Sequence, residues 1–200
     1  MRKPLILALC LACPLLLSSC SPRDFLTRRL AADLIAGSRT FRSQQQLQVK
    51  TGILSNQDYL SPEYLALQHR GWISGTIKRC PSPEMPAPCW DVALTPSGVD
   101  TFQSLIVPGD AEKQSFNIPA ARRELVAVTG IARQGSAADV AFTWRWVPLN
   151  EVAAALYSGE VRHSSLVRFR NFDDGWRVVE GASHTGEPLD DALKNAQPLQ

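Results

Sequence analysis

Apolar and polar positions alternate strictly between residues 138 and 147. Val140, Phe142, Trp144 and Trp146 fall on one side, and Asp139, Ala141, Thr143 and Arg145 on the other. A period of two predicts a strand buried on one face. Residues 123–133, with Leu125, Val126, Val128 and Ile131, predict a partner strand, and Gln134-Gly135-Ser136 predicts the turn between them. Residues 165–171 and 176–179 predict two further strands, joined by a hairpin turn at Asp174-Gly175. Nearer the N-terminus, Leu47, Val49, Thr51 and Ile53 alternate in the same way. Elsewhere the period is helical. Leu26, Leu30 and Leu34 recur at i, i+4 and i+8 and predict a helix ending near Gly37. Ser61-Pro62-Glu63 opens a second helix with a capping hydroxyl, a proline in the first turn and an acid near the positive end of the dipole. Thr95-Pro96 opens a third, carrying Val99, Phe102 and Ile106, and Asn150-Glu151 caps a short fourth that reaches Tyr157.

These elements add up to an α+β fold. Residues 20–107 form a mainly helical portion with a hairpin, residues 115–182 an antiparallel sheet with a short helix, and residues 183–200 a polar, acidic tail. The tail is expected to be loose apart from a turn around residues 189–193, and residues 108–117 are the candidate linker.

The N-terminal hydropathy sets the address. Arg2 and Lys3 precede an apolar run over residues 5–17, interrupted by Pro14. That is shorter than the ~20 residues of a comfortable transmembrane helix and has the layout of a secretory signal. Leu17-Ser18-Ser19-Cys20 resembles the lipobox of bacterial lipoproteins. The resemblance implies a signal peptide over residues 1–19 and acylation of Cys20, which becomes the first mature residue and holds the body to a membrane. Ser21, where aspartate would mark retention, resembles the sorting pattern for the outer membrane, with the body facing the periplasm. Cleavage removes Arg2 and Lys3 from 21 Lys and Arg and leaves 19 bases against 19 acids. The body is then neutral on balance, which with export argues against a nucleic-acid partner.

Five cysteines sort by fate. Cys10 and Cys13 leave with the signal, Cys20 takes the lipid, and Cys80 and Cys89 remain for one disulfide in an oxidising compartment. Four prolines between them (Pro81, Pro83, Pro86 and Pro88) forbid a regular helix or interior strand and predict a stapled hairpin tip between strands over residues 72–78 and 90–94. Zinc-ligand spacing and a Cys-x-x-Cys redox pair are both missing, so neither a metal nor a cofactor is expected.

Two stretches resemble known folds in texture. The helix–strand–tip–strand–helix order over residues 57–107, with "YLALQHRGWI" and "VALTPSG", is similar to a winged-helix module. One arginine and one glutamate between Pro62 and Arg70 are too few donors for a DNA-reading helix. The paired long strands closing with "VRFRNFDDGWRV" over residues 115–182 resemble the curved sheet of NTF2-like proteins, which implies a concave face able to host a pocket.

No Gly-x-Ser-x-Gly elbow or phosphate-binding glycine loop is present. His163 and Ser164 are strand neighbours that point to opposite faces. The candidate contact residues are cationic: Arg145, Arg168, Arg170 and Arg177 fall on neighbouring strands, where their planar forks suit carboxylates or phosphates. The opposing possibility is that they are merely the solvent half of alternating strands. The expectation is thus a lipid-anchored, non-enzymatic binding or envelope-assembly module with a possible envelope protein partner. The alternative is a small-ligand binder or hydrolase using a pocket in the C-terminal half, with Glu124 or His163 inside it.

Overall fold

The computed structural model describes residues 25–106, 114–157, 160–181 and 187–199. Cys20 and the signal region lie outside them. Among the described residues no helix is long and apolar enough to cross a membrane.

The fold is α+β, with two antiparallel sheets and seven helices among the described residues. Strands β1 (Gln45–Lys50), β5 (Ser115–Gln134), β6 (Ala137–Pro148), β7 (Arg162–Phe172) and β8 (Gly175–Val178) lie side by side in that order. Strand β9 (Gln197–Leu199) pairs with the start of β7, on the edge that β8 uses further along. A smaller sheet orders β2 (Gly52–Ser55), β4 (Cys89–Leu94) and β3 (Ile73–Lys78). The alternating run expected over 47–53 is broken between β1 and β2 at Gly52, whose φ of 82° only glycine adopts readily, so the chain passes from one sheet to the other.

Two apolar cores share one strand. The first half of β5 buries Phe116, Ile118 and Ala120 against β1, α4 (Pro62–His69), α5 (Pro96–Gln103) and α6 (Glu151–Leu156). Its second half, with Val128, joins β6 and β7 under α1 (Arg28–Gly37), α2 (Arg39–Arg42) and α7 (Leu189–Lys194). Strand β5 begins at Ser115, so three residues of the expected linker are strand. Pro119 hid this. The Asn150 side chain donates to the Pro119 carbonyl at 2.6 Å, so the proline's missing donor faces the side where β6 has already ended, since Ala121 pairs with Pro148.

The helices start where their caps predict. Ser61, Thr95 and Asn150 each accept from the backbone N–H three residues on. The buried stripe of α1 is Ala31 and Ile35, with Leu30 and Leu34 at its margins. A four-residue helix, α3 (Asn56–Tyr59), precedes α4. The chain end is not loose: Leu189, Ala192 and Leu193 of α7 are core residues, and β9 is paired.

Cys80 and Cys89 form a disulfide with Cα atoms 5.2 Å apart, closing the proline-rich tip at the mouth of the β3–β4 hairpin. Behind it Tyr59 stacks on Trp90 at 4.5 Å, and the Trp90 indole donates to Asn56 at 2.9 Å.

Candidate functional site

The register places all four predicted arginines on the outer face of the large sheet, opposite Val140, Phe142 and Trp144. Arg145 lies across from Glu124, Arg168 from Asp139, and Arg170 from Arg177. They do not form one cluster. Arg145 is level with Arg162 on β7, six residues from Arg168, or ~20 Å along the strand. Arg145 donates to Glu124 at 2.9 and 2.6 Å. Arg168 grips Asp139 through Nε and Nη2, and Arg177 bonds Asp174. Arg145 and Arg168 are therefore neutralised by carboxylates on adjoining strands, and Arg177 by one in the turn before its own strand. The face is a patchwork of ion pairs rather than an unbalanced cationic surface. Glu124, expected as a candidate pocket acid, is part of that patchwork and lies on the outer face, across from Arg145.

The inner face holds a different constellation. The Arg123 guanidinium lies 4.7 Å from the Trp146 ring and 5.6 Å from that of Trp144. Trp146 meets Trp144 edge-on at 5.1 Å and Tyr157 at 5.8 Å, and His163 stacks on Trp144 at 4.6 Å. The Trp144 indole donates to Ser165, whose hydroxyl donates to the Ala192 carbonyl at 2.7 Å, tying the aromatic row to α7. These tryptophans are mainly core, Trp144 being 2% exposed. Burial lowers the pKa of His163 and favours its neutral form.

Arg123 also ties α2 to the sheet. Its Nη1 donates to the Thr40 carbonyl at 3.1 Å, the Ser43 carbonyl at 3.4 Å and the Ser43 hydroxyl at 3.1 Å. Burial lowers its pKa, and the charge of Asp190 partly offsets that. Among the described residues two buried side-chain atoms have no partner: Arg123 Nε and Asp190 Oδ1 are both closed to solvent and unbonded. The side chains that carry them line the same cleft of about 380 Å³ between α2 and α7, together with Arg39, Thr40, Ser43 and Lys194, with the two atoms themselves beneath its surface. That arrangement can accept an anion and offer an acceptor beside it.

The sequence pattern missed Arg123 for a physical reason. Bulges at residues 126 and 129 interrupt β5, so its apolar positions (125, 126, 128 and 131) share no single parity from which the face of Arg123 could be read. Asp190 was read as part of an acidic tail. Neither alternation nor motif spacing joins two residues so far apart in the chain.

Comparison with known proteins adds no assignment: no protein-family model, curated protein or solved structure matches the chain.

Proposed function

We propose that this protein is a lipid-anchored component of the bacterial cell envelope, tethered through an acylated Cys20 at the outer membrane, with a body that is a non-enzymatic binding module. The observation that carries this reading is where the chain enters the fold. Phe25 follows Cys20 by five residues, a reach of at most about 18 Å, so the lipid must hold the body close.

The entry point suits a bilayer. Phe25 is 65% exposed with the Arg133 guanidinium 3.9 Å from its ring. The β5–β6 and β7–β8 turns meet at the same end of the sheet, joined by the Asn171 N–H donating to the Ser136 carbonyl. Phe172, 49% exposed, adds a second ring there, with Arg177 at 5.3 Å. Asp173 and Asp174 are the acids of this end, and Arg177 holds Asp174. Aromatic rings backed by arginines favour an anionic interface.

The order α4, β3, β4, α5 supports a winged-helix-like module, and the bulged sheet with α1 and α7 on one face supports an NTF2-like body. Both are read here as binding architecture. Mass spectrometry of protein purified from membranes tests the anchor. The expected mature N-terminus is diacylglyceryl-Cys20, and Cys20→Ala releases the protein from the membrane fraction. A full-length chain recovered from cytosol with free thiols would overturn it.

A further inference from the structure

We propose that the cleft between α2 and α7 binds a small organic acid whose carboxylate carries a hydroxyl or amine donor beside it. The proposal names a ligand class for the binding module and stands apart from the anchor.

Two unmet bonds define the chemistry. A guanidinium has five donors, and the three bonds to α2 all use Nη1. Nε faces no acceptor, and Asp190 Oδ1 faces no donor. An unmade bond at a buried polar atom is costly, ~1–3 kcal/mol each. Arg123 and Asp190 nevertheless leave one donor and one acceptor idle just beneath the cleft that both residues line. A ligand that presents an acceptor to Nε and a donor to Oδ1 relieves both at once. Chloride and sulfate offer only the first half, and neutral sugars lack the charge.

The surroundings agree on sign and size. Arg39 and Lys194 stand exposed at the mouth, where Asp190 and the Lys194 neighbour Asp191, 3.8 Å away, are the acids. Arg123 adds a third cation at the floor. The volume of about 380 Å³ falls within the ~300–1,000 Å³ usual for small-molecule sites. Both walls are short, α2 having four residues and α7 six, so a slight parting of the two exposes the idle atoms. The cleft also lies near the middle of β5, well back from the turn beside Phe25. Ten residues separate Arg123 from Arg133, ~30 Å along the strand. A body seated by its Phe25 end therefore holds the cleft away from the bilayer.

Trp144 and Trp146 beside Arg123 report occupancy. The purified protein is titrated with lactate and with D-glucuronate while tryptophan fluorescence is followed, with acetate (no donor) and D-glucose (no charge) as controls. Lactate or glucuronate should give a saturable change that the controls do not match. The double variant Arg39→Glu/Lys194→Glu leaves the α2 tether intact and should weaken binding about five- to tenfold, at unchanged Tm. Asp190→Asn should erase the preference for lactate over acetate. The proposal is overturned if neither acid gives a saturable response, if acetate or glucose matches them, or if the double variant binds as tightly as the parent. None of these outcomes bears on Cys20 acylation, which mass spectrometry reads independently.

Discussion

Gly98→Ala inverts the usual rule for a helix. Replacing glycine by alanine within a helix ordinarily stabilises by ~1 kcal/mol. Gly98 is buried in the first turn of α5, against the backbone of the residue that leads into β3. A methyl built there lies 1.9 Å from the Trp72 carbonyl oxygen and 2.9 Å from its carbon. No rotamer relieves a clash between Cβ and backbone, so α5 must retreat by roughly 1 Å. That retreat strains three bonds. The Thr95 N–H donates to the Trp72 carbonyl at 3.0 Å, the Thr95 hydroxyl to the Gly71 carbonyl at 2.6 Å, and the Gly98 N–H to the Thr95 hydroxyl at 3.0 Å. Overpacking costs ~1–3 kcal/mol, and weakening bonds worth ~1 kcal/mol each adds to it. After the propensity gain is subtracted, the net loss is about 2–3 kcal/mol. In urea, with a slope of ~2 kcal/mol/M, the midpoint should fall by ~1–1.5 M. Gly37→Ala is the internal control: it sits at the end of α1 with nothing within 4 Å of the added methyl, and should leave the midpoint unchanged or slightly raised. A Gly98→Ala midpoint equal to or above the parent's would refute the packing derived for α5.

Three further outcomes are expected. Cys80→Ser/Cys89→Ser opens a ten-residue loop, for which chain entropy gives ~2.7 kcal/mol. The four prolines restrict the open loop, so the measured loss should be nearer ~2 kcal/mol, and reductant should have no further effect on the variant. Arg168 and Asp139, with side chains 23% and 24% exposed, should show ~1–2 kcal/mol of coupling in a double-mutant cycle, while the exposed Arg177–Asp174 pair shows no more than ~0.5 kcal/mol; equal couplings would contradict the burial difference. His163 is held below its ordinary pKa of 6.5 by burial, so the unfolded chain takes up the proton first. The stability tied to neutral His163 is complete above pH 6.5 and declines as pH falls from there toward the folded-state value. His163→Phe should flatten the stability profile across that window, and identical slopes in the two proteins would exclude His163 as the source.

Local signals were legible wherever geometry repeats over a few residues. Thr95, Ser61 and Asn150 announced their helices because a cap is made within four residues of chain. The β6 strand was readable because alternation over ten residues has one physical meaning. Cys80 and Cys89 were paired by elimination, and the tip between them was fixed by proline. The first half of β5 was hidden because Pro119 reads as a strand breaker until its neighbour β6 is known to end before it. The α7 helix looked like a polar tail because only Leu189, Ala192 and Leu193 carry it, and their burial depends on β6 and β7 beneath.

Local chemistry along the chain was enough for the α+β content, the stapled hairpin, the shared face of Arg168 and Arg170, and the expectation of an anchor at Cys20. Tertiary structure alone decided what those arginines do, because their neutralising acids, Glu124 and Asp139, come from adjoining strands and a register that alternation does not specify. It alone also brought Arg123 to Asp190. Pairing with Trp146 placed one on the inner face, and packing of the chain end carried the other there, 67 residues along the sequence. Backbone preferences act over a few residues, whereas a cleft is made by whatever distant segments the core draws together.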